Sequence, residues 1–272
     1  MSVIVQPSAA VQPEKKSSLG YLISDTAVMT KRHMLQTLRI PDLWAGATIQ
    51  PIMFILLFRY VFGGAINTGN ESYVNFLMAG IFVQTVIFGS LTTGIGLASD
   101  LEKGVIDRFR SLPMSSLAVL LGRMNADLLR NAFTVVIMII VGLLVGFRPE
   151  GNPLSWLAAA ALLLAFGWVI SWVAAVFGLT LRTVEAVQQI AFTAVFPLTF
   201  AASTFVPTST MPGWLQAFAN NQPVTHVIDA VRALLLDQPL GDHLWLSLLW
   251  MVGLLVILIP FCVKRYRRHA GS

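Results

Sequence analysis

The residues of this chain best placed for a chemical task stand in one run, Asp100-Leu101-Glu102-Lys103-Gly104-Val105-Ile106-Asp107-Arg108-Phe109-Arg110-Ser111-Leu112-Pro113-Met114-Ser115. A carboxylate at Glu102, an ammonium at Lys103 and a permissive Gly104 lead through Asp107 into a short basic helix that ends near Leu112-Pro113. Both signs of charge around one aromatic ring suit docking. Arg108 and Arg110 would steer and orient a soluble partner, and Phe109 would supply the buried anchor. A plain basic loop that only fixes topology fits the same residues. Bond-making chemistry has no comparable cluster. No Lys follows a Gly, so the phosphate-cradling loop of an ATPase is absent. His33, His226, His243 and His269 are scattered, with neither a His-Glu-x-x-His site nor a Gly-x-Ser-x-Gly turn. Cys262 is the only cysteine, which excludes an intrachain disulfide and a thiolate cluster. The chain reads as a non-enzyme that binds no cofactor of its own.

The elements that must position these residues are apolar helices. Hydrophobic residues make up 56% of the 272 and charged ones 11%, against roughly 25% charged in a soluble protein, and the mean hydropathy is +0.74. Crossing ~30 Å of hydrocarbon takes ~20 helical residues. Six blocks approach that length: Leu43–Phe62, Tyr73–Ser99, Ala126–Gly146, Leu154–Leu181, Ala186–Val206 and Leu244–Val263. They show no alternation of apolar and polar residues, which excludes a barrel. The predicted fold is therefore all-α, a polytopic membrane protein with six transmembrane helices. The formal charge of +5 gathers at the ends of the blocks, a placement that suits anionic lipid headgroups better than nucleic acid.

Basic residues also set the orientation. Lys15, Lys16, Lys31, Arg32 and Arg39 precede the first block. Lys103, Arg108, Arg110, Arg123 and Arg130 fall between the second and third, Arg182 between the fourth and fifth, and Lys264, Arg265, Arg267 and Arg268 after the last. The positive-inside rule then puts both termini in the cytoplasm. Residues 1–20 read as a disordered cytoplasmic arm, and residues 21–272 as one six-helix domain. Asp25 to Ile40 can form an amphipathic helix with Ala27, Met34 and Leu38 on one side, lying on the cytoplasmic membrane surface ahead of Pro41. Gly63 to Asn70 is a turn-rich external loop. Residues 207–243 form a longer external segment. One short helix starts near Pro212-Gly213-Trp214, and another opens at Pro223 with His226, Asp229 and Arg232 on its polar side. This segment either dips into the outer leaflet or packs as a lid on the spans. Asp229 and Arg232 can pair at i, i+3.

Pro51 and Pro197 interrupt the first and fifth spans, where each removes a backbone hydrogen bond. Gln84, Thr85, Thr92 and Thr93 load the second span with polar groups, and Thr193 and Thr199 load the fifth. They fit a weakly polar path, or equally hydrogen bonding between helices. No acidic group stands near the middle of a span, which weighs against proton- or sodium-coupled transport. The first, second and fifth spans show no concentration of aromatic rings.

The acidic-Lys-Gly run followed by Arg-x-Arg-x-x-x-Pro, between spans two and three of six, resembles that of the type-2 ABC exporter permeases. Gly213-Trp214-Leu215-Gln216-Ala217-Phe218, and Asn221-Gln222-Pro223-Val224-Thr225 with Asp229-Ala230-Val231-Arg232, are similar to the daunorubicin-resistance branch of drug and lipid exporters. The resemblance runs from about Leu22 to Arg268. It implies a permease paired with itself or a sister chain, with two copies of a separate ATPase docked beneath and ATP and Mg held there. It implies that Glu102, Lys103, Gly104, Asp107, Arg108, Phe109, Arg110 and Pro113 form the ATPase-coupling helix, within residues 100–115. Lys31, Arg32 and Arg39 would lie on the ATPase-proximal interfacial helix. Residues 207–243, with Trp214, Pro223, Asp229 and Arg232, would form paired external re-entrant helices. A hydrophobic small molecule or lipid would pass along spans one, two and five, past Pro51, Gln84, Thr85, Thr92, Thr93, Thr193, Pro197 and Thr199. A bacterial inner membrane location follows from the same resemblance. A polysaccharide or glycolipid exporter would share these features, and a non-transporting membrane assembly factor is the reading from another class.

Overall fold

The computed structural model describes residues 18–39, 41–66, 72–105 and 115–269. Among them every regular element is helical. Helix α1 covers Ser18–Leu38, so the last residues of the expected arm, 18–20, are helical rather than disordered. Its buried residues are Met29 and His33, while Leu38 is exposed. The face that packs on the bundle is therefore a different one from the side bearing Ala27, Met34 and Leu38. The reason lies on the neighbouring helix, where a Cβ on Gly122 would sit 2.3 Å from that of Met29. Only glycine there lets α1 approach.

Helix α2 (Pro41–Leu56) carries Pro51 inside it and widens into a π-helical stretch over Leu57–Phe62. Helix α3 (Tyr73–Glu102) follows, then α4 (Ser116–Val145), which Ser115 caps by accepting the N–H of Ala118 at 3.0 Å. Helix α4 starts well before the expected Ala126. Its early charges do not stop it, because Arg123 pairs with Asp100 and Arg130 with Asp127 inside the bundle. Helix α5 (Pro153–Thr180) is capped by Asn152, and α6 (Val184–Phe200) by Thr183. Helix α6 ends short of the expected Val206. Pro197 sits in its last turn, and the Thr204 hydroxyl donates to the Thr199 carbonyl at 2.6 Å as the chain turns away. Two short helices, α7 (Gly213–Asn221) and α8 (Pro223–Leu235), lead to α9 (His243–His269).

Among the described residues four helices, α3, α4, α5 and α9, are long and apolar enough to cross a membrane, while α6 and the stretch Thr48–Phe62, from α2 into the π-helical turn, are apolar but shorter. Helix α3 is the most enclosed of the four and packs against α2, α4, α5, α6 and α8. Small residues bring it close. A Cβ on Gly178 of α5 would lie 2.4 Å from the Gly94 carbonyl oxygen, and one on Gly80 2.3 Å from that of Thr204. Approach by small residues is how helices associate where water supplies no hydrophobic drive. The Ser90 hydroxyl uses that proximity, donating to the carbonyl of Gly167 on α5 at 2.9 Å.

Candidate functional site

Helices α2, α3, α4 and α6 surround a cleft of about 250 Å³. Each wall follows from helical spacing, since residues three and four apart share a face. Helix α3 contributes Gln84, Phe88 and Thr92 at successive i+4 steps, with Thr85 beside them. Helix α4 contributes Arg130, Asn131 and Thr134, and α6 contributes Gln188 and Phe192. Pro51 and Phe54 close the α2 side. Phe88 and Phe192 meet across α3 and α6 with ring centroids 5.6 Å apart.

The α4 wall is a polar network built into an apolar surround. Arg130, buried like Asp127, pairs with its carboxylate at 2.9 Å and donates to the Gly89 carbonyl at 2.6 Å. The hydroxyl of Thr93 donates to the other Asp127 oxygen. Asn131 donates to Ser90 Oγ at 3.1 Å, and a Cβ on Gly89 would fall 2.4 Å from Asn131 Oδ1. A buried guanidinium is tolerable only with its charge matched and its donors used, and α3 and α4 meet both needs together.

The expected path residues divide. Pro51, Gln84, Thr85 and Thr92 line the cleft. Thr93 lies behind the wall on Asp127. Thr199 is buried and bonded to the Val195 carbonyl of its own helix. Thr193 bonds likewise to Gln189, and Thr193 and Pro197 are exposed away from the cleft. Sequence reasoning misses the α4 wall, because the basic residues as far as Arg130 read as lying between two spans. A charged pair at i, i+3 within an apolar block was the available signal. The rings also depart from expectation. Phe54 and Phe58 of α2, Phe196 and Phe200 of α6, and Phe205 form one cluster, with centroids as close as 4.0 Å for Phe58–Phe205. These rings stack on one another, and of them only Phe54 also lines the cleft.

At the other end of α3, Glu102 is turned toward α6. Its Oε1 accepts the backbone N–H of Val184, the first residue of that helix, at 2.9 Å. A carboxylate there satisfies an unpaired donor and complements the helix dipole. Lys103 follows as an exposed C-cap, and Gly104 has φ +62°, in the left-handed region that favours glycine. Asp107, Arg108, Phe109, Arg110 and Pro113 lie outside the described residues. On α1, Lys31 is exposed and Arg32 half-buried, and Arg39, just past its end, is exposed. His33 is buried beside the Asp100–Arg123 pair and Tyr266. Burial first, and then the Arg123 charge, push its imidazole down to about 4.

At the opposite end, α8 is buried almost throughout, packed against α3, α5 and α9. Pro223 opens it. Arg232 donates to Asp229 at 2.5 Å and to the Ser203 carbonyl at 2.6 Å, and lies 3.8 Å above the Phe76 ring. Ser203 Oγ donates to Asp229 at 2.7 Å. This knot ties α8 to α3 and to the end of α6. His226 and His243 approach at 3.2 Å between ring nitrogens, and burial together with His243 lowers the His226 pKa against the pull of Asp229. Helix α7 lies outside this packing, with Trp214 76% exposed. Among the described residues no three His, Cys, Asp or Glu side chains gather as a metal site requires.

A family profile described as ABC-2 type transporter matches residues 24–236, more than half of the chain. The chain is 33% identical over 260 residues to the daunorubicin resistance ABC transporter permease protein DrrB1 of Streptomyces coeruleorubidus, covering 96% of this chain and 90% of that relative. It is 27% identical over 192 residues to the doxorubicin resistance ABC transporter permease protein DrrB of Mycobacterium tuberculosis, covering 68% of this chain and 66% of that relative.

Proposed function

The chain belongs to the ABC-2 type transporter family as the membrane permease subunit of an ABC exporter, and we propose that it moves hydrophobic drugs or lipids out of the cytoplasm or inner leaflet. Two copies of a separate ATPase hold the ATP and Mg and supply the work. A second permease, identical or a sister chain, completes the path. Helices α2 to α6 and α9 are the six spans, set in a bacterial inner membrane with both termini in the cytoplasm. Helix α1 lies at the cytoplasmic surface, and α7 with α8 forms the external re-entrant pair.

One observation carries this reading: the cleft and the ATPase-facing end of α3 share a helix. Glu102 closes α3 and holds the first turn of α6, and α6 supplies the Gln188 and Phe192 side of the cleft. Motion delivered to residues 100–115 by the ATPases therefore reaches a cleft wall through one hydrogen bond and one rigid helix. Lys103, Asp107, Arg108, Phe109, Arg110 and Pro113 take up that motion, with Lys31, Arg32 and Arg39 alongside. Transport requires the two states of the wall to differ in their affinity for the cargo, since equal affinity would shift nothing.

A polysaccharide or glycolipid exporter is the nearest alternative; it would be favoured by a wide channel ringed by aromatics, whereas the cleft of about 250 Å³ has Phe54, Phe88 and Phe192 on its walls. A membrane assembly factor is the other. Purification from native membranes in mild detergent, with every co-purifying polypeptide identified and counted, separates these readings. A stoichiometric ATPase is expected, and the number of permease species beside it distinguishes homodimer from heterodimer. Repeated recovery without an ATPase, even after crosslinking in the membrane, favours the assembly factor.

A further inference from the structure

Helix α1 rests on α4, and beside that contact the two helices leave an apolar groove of about 680 Å³. On α1 the groove runs from Leu22 to Leu35, about 20 Å at 1.5 Å per residue. On α4 its wall is Leu121, Asn125 and Leu129, at successive i+4 steps. Leu129 is exposed, and so are Val136, Ile140 and Leu144 further along the same face of α4. The groove is therefore continuous with an apolar stripe on a helix long and apolar enough to cross a membrane.

One flank of the groove is charged. Lys31 and Leu35 line both it and a second hollow, of about 340 Å³, which Arg32 and Arg39 also line. Lys31 and Arg39 are exposed, and among the described residues no carboxylate stands on either wall. Lysine suits such a border, since its stem lies on apolar surface while its ammonium reaches out. Part of the groove's own polarity is already used, for the Thr30 hydroxyl donates to the Thr26 carbonyl at 2.8 Å. An extended peptide laid there would bring backbone groups that an apolar wall cannot pair. An acyl chain brings none. The occupant that fits an apolar groove bordered by cations is a single molecule with a long hydrocarbon and an anionic head.

We propose that the α1–α4 groove binds one anionic phospholipid, its acyl chain between the two helices and its phosphate beside Lys31, Arg32 and Arg39. This rests on the reading of α1 as a helix at the cytoplasmic membrane surface, and it names a partner that holds α1 against α4. No residue lines both this groove and the cleft, so the lipid stands apart from the cargo path.

The test is native mass spectrometry of the full-length permease in detergent, with phosphatidylglycerol and phosphatidylcholine of the same acyl chains. Wild type should retain one phosphatidylglycerol per chain at its tightest site, roughly tenfold or more tightly than phosphatidylcholine. Lys31→Gln and Arg39→Gln should each weaken phosphatidylglycerol binding roughly fivefold and leave phosphatidylcholine unchanged. Ala27→Trp fills the groove from an exposed position and should remove the tight site with every cation still in place. Equal affinity for the two lipids, or unaltered phosphatidylglycerol binding in Ala27→Trp, overturns the proposal. Displacement of the lipid by glycerol phosphate, an anion without an acyl chain, overturns it too, because the site would then be one for free phosphate. Crosslinking of Ala27→Cys in native membranes to a second permease or to the ATPase would assign the groove to a protein instead. The placement of α1 is tested separately, since Arg39→Cys should react with a membrane-impermeant maleimide only in inverted vesicles. Reaction from the outer side alone would sink that placement, while lipid retention in detergent, measured without a bilayer, would stand.

Discussion

Glu102 and Val184 stand 82 residues apart in sequence and share one hydrogen bond, so the role of this carboxylate can be tested without disturbing the helices it joins. Glu102→Gln keeps an acceptor and loses the charge, Glu102→Ala loses both, and Glu102→Lys reverses the sign at a helix N-terminus. ATP-driven export should fall in that order and vanish in the last, with membrane insertion unchanged. The Asp127–Arg130 pair gives a larger effect on stability. Asp127→Asn leaves a buried guanidinium without its counter-ion, at a cost of about 3–5 kcal/mol. Buried Cys262 offers the readout, since a thiol-reactive fluorophore reports it only on unfolding. Replacing both partners together by Leu and Met should cost far less. His33 links stability to pH. Its neutral form is favoured in the folded protein, so the unfolded chain binds the proton more readily between about 6.5 and about 4. Stability from this residue is complete above that window and declines as the pH falls through it, by about 3 kcal/mol at ~1.4 kcal/mol per tenfold change in proton affinity. At each pH the thermal midpoint of His33→Gln should be compared with wild type, and the variant should show the shallower acid-side decline.

At the scale of elements, the α3–α5 crossing depends on Gly94 and Gly178 meeting backbone to backbone. Gly178→Val must push the helices apart, and a loss of about 1–3 kcal/mol is expected, measured as a lower thermal midpoint. Valine at Gly253 of α9, where a Cβ meets nothing within 4 Å, is the control and should change little. These crossings also explain what was legible beforehand. Apolar block length marked α3, α5 and α9 closely, because burial in lipid is a property of the block itself. The start of α4 was hidden, since Arg123, Asp127 and Arg130 look like a loop until Asp100, Thr93 and the Gly89 carbonyl are brought to them. The packed face of α1 was hidden for a similar reason: Gly122, far along the chain, is what makes room for Met29. For residues 207–243 the sequence leaves two placements open, and what it hides is the contact of α8 with α3, where Arg232 finds Asp229, Ser203 and Phe76. The polarity of Gln84, Thr85 and Thr92 shows in the sequence, but which candidates face a cleft does not, since Thr93 closes its bond on Asp127 and Thr193 and Thr199 close theirs within their own helix.

At the scale of the whole molecule, the cleft, the Glu102 contact and the Arg232 knot lie along α3 and α6. Helix α6 is held at its first turn by Glu102, and the segment that follows it is held by Arg232 through the Ser203 carbonyl. In the proposed mechanism a displacement entering at one end passes along the cleft wall to the other. Arg232→Lys keeps the charge but cannot reach Asp229, Ser203 and the Phe76 carbonyl in one fork. It should slow export while leaving ATPase docking intact, as read by co-purification. The measurement that tests the account most directly is ATP-driven movement of Nile red in inverted membrane vesicles containing the permease and its ATPase, comparing wild type with Glu102→Lys. The account predicts ATP-dependent transport in the first and none in the second, with equal amounts of permease in the membrane. Transport at the wild-type rate in Glu102→Lys would contradict the claim that work enters the cleft through the end of α3.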